Sequence, residues 1–443
     1  MLFSKEDLRR LIVPLVIEQL LAVTIGMADT MMVANVGEAA VSGISLVDSV
    51  NILLIQVFSA MATGGAVVCS QYLGRQERGN ACKAAKQLLY TSAFIALAVA
   101  LIAILGGKSL LSLIFGAVEP DVMANARTYF WLSALSYPFL AVYNAGAALF
   151  RSMSNSKISM KISILINLIN VAGNAILIYG LHLGVAGAGI ASLVSRATAT
   201  VIVVALLRNR NNLIYVEKLF SYRFDWGMVK SILYIGVPNG LENSMFQVGK
   251  VLVSSLIAMF GTYAITANAI ASNLAQFECI PGSALGLAMI TVIGRCVGAQ
   301  DYEQARHYAK KLMKLTYLCM TCVCIVVMLL SYPVARLYNP SPEALELTIW
   351  LAFYHSICGI FIWPCSFALP NILRAAGDVK FTMTTSIVSM WLCRIFFSYV
   401  LALWLGLELK GVWIAMTLDW VVRAACFVWR FFSGRWEKKQ LLS

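Results

Sequence analysis

The chain has 443 residues, of which 60% are hydrophobic and only 12% charged, against roughly half and about a quarter in ordinary globular proteins. Mean hydropathy is +0.79. No soluble core hides that much apolar surface, so the composition excludes a soluble enzyme or binding module and makes the bilayer the solvent. The formal charge of +13 would suggest nucleic acid in a soluble protein. Here the basic residues lie between apolar runs, so they report topology and no nucleic-acid partner is expected.

The opening MLFSKEDLRR is basic, but the apolar stretch after it contains Glu18 and Asp29 and lacks a small-residue cleavage site. It is therefore expected to be a retained first span, not a signal peptide. Apolar runs of about 20 residues then predict twelve spans, at roughly 11–34, 44–68, 88–106, 128–150, 160–181, 185–207, 232–258, 268–293, 312–331, 348–370, 381–404 and 411–432. The expected fold class is an all-α integral membrane protein, with a six-helix lobe at 1–207, a cytoplasmic linker at 208–230 and a second lobe at 231–443. With the N-terminus inside, 26 of the 34 Lys and Arg residues fall on the cytoplasmic side and only Lys108, Arg127, Arg336 and Lys410 fall outside. That asymmetry predicts a multi-pass protein of the cell (inner) membrane with both termini cytoplasmic. Cys319 and Cys322 have CxxC spacing, but no second pair or His stands nearby, so no metal site is expected.

Shifting the chain by 224 residues lays its halves on each other. Pro14 and Glu18 fall on Pro238 and Glu242, Gly37 on Gly261, Gly74 and Gln76 on Gly298 and Gln300. Arg151 and Lys157 meet Arg374 and Lys380 at a shift of 223, and Gly187, Ile190 and Ala191 meet Gly411, Ile414 and Ala415 at 224. Six helices is an even number, so both halves enter the membrane in the same sense. Such a parallel repeat is a recurrent plan for alternating-access transporters.

The pattern Pro14, Glu18, Ala28, Asp29, Thr30, the segments QYLGRQ and GRCVGAQ, LRAAGDVKF (373–381) and GVWIAMTLDWVVR (411–423) together resemble the multidrug and toxic compound extrusion (MATE) transporters, over essentially the whole chain. The resemblance implies two pseudo-symmetric six-helix bundles around a central cavity. It also implies efflux of organic, often cationic, compounds in exchange for H⁺ or Na⁺.

No cofactor is expected besides that coupling ion. Gly107-Lys108-Ser109 resembles the end of a P-loop, but Ile102 stands where the first Gly is required, so ATP-driven transport is not expected. Gradient coupling needs a charge-changing group within the membrane. An acid at mid-helix costs roughly 2.5–3.5 kcal/mol on insertion scales, which makes it functional by default. Asp29 is the first candidate and matches the family's coupling aspartate; Glu18, eleven residues earlier, lies on the same helix face. In span five Asn167, Asn170 and Asn174 share a face. Asn170 and Asn174 match the family's N-x3-D pair, and Ser192 falls where a hydroxyl completes that cluster. Asn174 replaces an Asp common in cation-binding members, which tilts the expectation toward H⁺.

Glu242 matches the glutamate of the family's seventh span and is placed to exchange a proton or hold an organic cation. Lys250, two turns beyond, either pairs with an acid or favours an anionic or zwitterionic substrate. Substrate binding is thus assigned to Glu242, Lys250 and Glu18. Asp419 and Arg423, at i and i+4, read as a structural ion pair that Arg394 could join. Pro138, Pro281, Pro364 and Pro370 interrupt spans and permit bending, and Met27, Met31, Met245 and Phe246 suit flat apolar cations. The expected function is a non-enzymatic, ion-coupled antiporter, monomeric, with a small organic substrate and membrane lipid as partners. A lipid-linked oligosaccharide or polar-lipid flippase is the alternative, with a passive channel as a poorer third.

Overall fold

The computed structural model describes residues 2–442 apart from 35, 117, 118, 218–220, 222 and 440; for residues 25–31, 33, 34 and 108 it describes the backbone alone. Asp29, Met27, Met31 and Lys108 therefore have side chains outside the described residues. The described chain is almost wholly helical. The first six helices are α1 (Lys5–Ala34), α2 (Glu38–Gly74), α3 (Arg78–Phe115), α4 (Pro120–Ser152), α5 (Ser156–Gly180) and α6 (Gly184–Leu207). The second six are α7 (Trp226–Ala258), α8 (Thr262–Gly298), α9 (Tyr302–Leu337), α10 (342–375), α11 (Val379–Trp404) and α12 (Glu408–Phe432). These match the twelve spans expected, and nine of them are long and apolar enough, among the described residues, to cross a membrane.

The helix starts follow local chemistry. Asp301 caps α9 by accepting from the Gln304 backbone N–H at 2.9 Å. Ser341 caps α10, with Pro342 at the first helical position, where its missing N–H costs nothing.

The duplication is written into the connections as clearly as into the helices. Left-handed backbone occurs at Gln76 and Gln300, Gly37 and Gly261, His182 and Gly406, and Gly184 and Glu408, each pair at the repeat shift. Glu408 is a non-glycine in this region, and its carboxylate accepts from the Tyr263 hydroxyl. Both halves also end their fifth helix in a π turn, Ala175–Gly180 and Val400–Trp404. The next helix packs on that turn through a glycine. A Cβ on Gly187 would lie 3.0 Å from the Leu177 carbonyl carbon, and one on Gly411 2.8 Å from that of Leu401.

One difference between the halves has a clear cause. The shift is 223 at Lys157/Lys380 and 224 at Gly187/Gly411, so the second half holds one more residue between those points. It is absorbed in α11, where Met390–Phe396 is π-helical, the usual way for a helix to take in a single residue without breaking. A further π segment, Pro364–Ala368, begins at Pro364, whose ring cannot continue the α ladder.

The chain divides into two compact units, Lys5–Gly240 and Leu241–Ser443 with Met1–Ser4. In the first, α4 packs on α2, α3 and α6, and α1 packs on α5. Its core joins Val47, Phe58, Ala96, Ala100, Ala126, Ala134 and Tyr137. Small residues let these backbones close up, the main source of helix association where lipid is as apolar as protein. Gly43 comes within Cβ reach (2.9 Å) of the Ala126 backbone, and Gly64 within 2.5 Å of the Ile232 carbonyl at the start of α7. The described residues between 210 and 223 are strapped to α3: Arg78 donates to the carbonyls of Arg210, Asn212 and Leu213, Lys86 to Ser221, and Gln87 to Arg223. In the second unit α8 packs on α9 and α10. The chain's opening segment docks there. Phe3 exchanges backbone hydrogen bonds with the Tyr308 hydroxyl at 3.0 and 2.7 Å and stacks edge-on against its ring.

At repeat-related positions, each unit closes a glutamate with an arginine, half-buried in the first unit and buried in the second. Arg151 reaches Glu18 at 3.4 Å, with Ser159 donating to the same carboxylate at 2.9 Å. Arg374 Nη2 donates to both oxygens of Glu242 at 2.7 Å. Removing one partner strands the other charge, at a cost of about 3–5 kcal/mol when the pair is buried. Arg374→Ala should therefore lower the melting temperature of the detergent-purified protein more than Arg151→Ala, whose partner keeps Ser159; equal melting points would count against this account. Gly187→Val and Gly411→Val should each destabilise by about 1–3 kcal/mol through overpacking on the π turn, read by tryptophan-fluorescence melting, while neighbouring Ala186→Val should not.

Candidate functional site

Three of the four residues assigned to ion coupling come together within the first unit. On α5, Asn174 Nδ2 donates to Asn170 Oδ1 at 3.3 Å, and Asn170 Nδ2 donates to Ser192 Oγ on α6 at 3.2 Å. Asn170 and Asn174 are buried, so a line of amide and hydroxyl groups runs between α5 and α6. Asn167 turns instead to Ser163 Oγ at 3.5 Å. The π turn follows directly after Asn174, and π turns concentrate at functional positions.

The fourth residue, Asp29, belongs to α1, and the α1 backbone can be placed against α5 by two contacts. Ser159 meets Glu18 near one end, and the Tyr179 hydroxyl donates to the Met32 carbonyl at 2.9 Å near the other. The helices thus run parallel. Interpolating between these points sets the Asp29 backbone level with the turn of α5 that carries Asn174.

The same unit holds a second polar cluster, around Asn51. Asn51 on α2 donates to Asp48 at 3.2 Å and to Ser133 at 3.3 Å, and accepts from the buried Tyr137 hydroxyl at 2.8 Å. Arg196 on α6 donates to Ser136 Oγ at 2.6 Å. Asp48 and Arg196 are an acid and a base on membrane helices, and the rule that flagged Asp29 applies equally to them.

In the second unit the assigned residues separate into two groups. Glu242 is held by Arg374, whose Nη1 also donates to Asn371 at 2.9 Å. Its charge is thus neutralised inside the unit, as is that of Glu18 in the first. Asp419 is fully buried and accepts from Arg423 Nε at 3.0 Å and Ser389 Oγ at 2.6 Å. Arg394 makes no hydrogen bond to this pair. Its guanidinium lies 4.9 Å from the centre of the Phe246 ring, with Lys250 at 5.4 Å and Arg423 at 6.0 Å from the same ring.

A third buried acid belongs to this unit. Glu278, on α8, is 1% exposed. His355 Nδ1 lies 2.6 Å from its Oε2, and Ser356 donates to its Oε1. The His355 ring is flanked edge-on by Trp413 and Trp420, with centroids 5.7 and 5.2 Å away. Span ten lacks Asp and Glu, as the sequence indicates, but it supplies the histidine that closes an acid from span eight.

The MatE family profile matches residues 14–176 and, a second time, 238–400. An uncharacterized transporter of Bacillus subtilis, YisQ, is 26% identical, with 96% of this chain and 94% of that protein aligned. A probable multidrug resistance protein, NorM, of Thermotoga maritima is 25% identical over 99% of this chain and 94% of its own. A solved structure described as the outward-facing conformation of a multidrug resistance MATE family transporter of the MOP superfamily shares the fold, with a TM-score of 0.91 at 19% identity and coverage of 98% and 96%. These likenesses lend no support to the polar-lipid flippase alternative. With the family's pattern present twice, once over each set of six helices, the chain belongs to the MatE family and is an integral membrane transporter of the multidrug and toxic compound extrusion type, not an enzyme.

Proposed function

We propose that this protein is a secondary antiporter that exports organic compounds by alternating access in exchange for a cation, with H⁺ as the coupling ion. The observation that carries this reading is the line Asn174–Asn170–Ser192, level with the backbone of Asp29. Amide and hydroxyl oxygens are neutral partners that steady a carboxyl as it gains and loses a proton. A Na⁺ site on the same residues would have Asn174 where a second carboxylate is wanted, which favours H⁺. Ion binding drives export only to the extent that the ion prefers one conformation over the other. Substrate roles for Glu18 and Glu242 require their arginine pairs to open first. The distribution of basic residues supports a topology with both termini in the cytoplasm.

The reading is tested in proteoliposomes loaded with rhodamine B ethyl ester, a cationic dye. A pH gradient alone should drive uphill efflux and a Na⁺ gradient alone should not. Asp29→Asn should abolish uphill efflux, and Asn170→Ala should weaken the response to protons by about tenfold, the worth of a hydrogen bond to a charged group. Undiminished uphill transport by Asp29→Asn would remove the assignment. A green fluorescent protein fused to the C-terminus should fluoresce in cells, because that reporter folds in the bacterial cytoplasm and not beyond it; dark, membrane-inserted fusion would reverse the topology.

A further inference from the structure

A cavity of about 680 Å³ opens in the first unit where the start of α1 meets the turn between α4 and α5. Arg9, Arg10 and Val13 line it from α1, and Ser154, Asn155 and Lys157 from the turn. The Glu6 carboxylate, also in the lining, is matched by Arg10 at 2.6 Å. Among the described residues no carboxylate pairs with Arg9 or Lys157, so the hollow holds two uncompensated positive charges. α5 begins beside them without a side-chain cap, and its dipole adds to the positive field. The Ser154 hydroxyl in the lining, and that of the fully buried Ser156 at the first residue of α5, are shut off from solvent with no hydrogen-bond partner.

The second half treats the same turn differently. Ser154 and Gly377 match at the shift of 223, and both have left-handed backbone, with φ of 61° and 92°. Over Gly377 lies the chain's own tail. A Cβ on that glycine would be 3.4 Å from the Cβ of Leu441, and Trp436 and Leu442 are buried. Asn155 matches Asp378, which Arg430 of α12 closes at 2.6 and 3.1 Å. Arg9 and Arg10 match Leu233 and Tyr234 at the shift of 224. The second half thus covers and neutralises a turn that the first leaves open and positive. From the cations of the first unit, exposed apolar side chains continue at helical spacing, Val13, Ile17 and Leu20 along α1 and Leu165 and Leu168 along α5.

We propose that this cavity binds the headgroup of an anionic phospholipid, with the phosphate on Arg9, Lys157 and the start of α5 and an acyl chain along the apolar stripe of α1. Guanidinium and ammonium groups both bind phosphate, a helix start receives it through free N–H groups, and basic pockets between membrane helices lodge such headgroups. The lipid takes the place that the tail has over Gly377 in the second half, and it bridges α1 to α5, the helices that carry Asp29 and the asparagine line. A soluble phosphate shares the headgroup's chemistry but leaves the apolar stripes bare. The site goes beyond the antiporter reading and does not depend on which ion or compound is moved.

Native mass spectrometry of the full chain in detergent, with phosphatidylglycerol or phosphatidylcholine of equal acyl length added, tests the site. Phosphatidylglycerol should bind at least about tenfold more tightly, two basic residues being worth roughly fivefold each. Arg9→Gln and, separately, Lys157→Gln should each weaken phosphatidylglycerol by about fivefold and leave phosphatidylcholine unchanged. Lys314→Gln, exposed on α9, should do neither. Asn155→Asp introduces the residue of the second half. It should weaken phosphatidylglycerol without lowering the melting temperature, because an acid is favourable at a helix start; a merely structural role for the turn would not separate the two readings. Glycerol phosphate at the same concentration as the lipid should not displace it, and displacement would give the cavity to a soluble phosphate and overturn the lipid. Equal affinity for the two lipids, or a loss in Lys314→Gln as large as that in Arg9→Gln, overturns the site.

Discussion

Within a bilayer no water is at hand to solvate a stray charge, and that one constraint organises this molecule. Glu18 and Glu242 stand at the same place in the two halves, and each is closed by an arginine from the end of its fourth helix or from the corresponding stretch of α10. Asp419 is closed by Arg423 within a single helix, and Glu278 by a histidine and a serine from the neighbouring one. In the first unit the polar line on α5 and α6 is made of neutral amides and a hydroxyl, and in the second the groups gathered around Phe246 are cations. A duplicated scaffold has thus been given unlike interiors by a few side chains.

The scaffold itself is held by backbone geometry more than by side-chain chemistry. The left-handed turns recur at the repeat shift, and so does the π turn that ends each fifth helix, with a glycine on the following helix receiving it. Side chains at these positions can drift apart between the halves because the approach of backbone to backbone does not depend on them. The extra residue of the second half illustrates the tolerance. It widens one turn of α11 and leaves the turns on either side in register.

Much of the fold was legible in the sequence because the signals were long. Twelve apolar runs, a shift of 224 and the alternation of basic connections each sum over many residues, and no single exception disturbs them. The cluster Asn170–Asn174–Ser192 was legible for a related reason, since helical spacing places the two asparagines on one face. Glu278 was not, because one carboxylate in a strongly apolar span barely lowers its mean, and its counterpart under the repeat is Leu54, which gives no hint. Its partner His355 lies 77 residues away, and nothing local ties them. The arginine partners of Glu18 and Glu242 were visible as repeat-matched basic residues, but they read as topology signals. Distance along the chain hid their second role. The π segments were equally hidden, as they follow from tertiary packing and one inserted residue and not from composition.

The docking of Phe3 bears on how the chain is made. Its partner Tyr308 follows 305 residues later, so the opening segment emerges from the ribosome long before the helix that receives it. Domains complete themselves in order of synthesis, and α1 can take its place in the first unit while the residues ahead of it wait. Seating of that segment is therefore among the last events of assembly, and it occurs only in a molecule whose ninth helix has already been delivered.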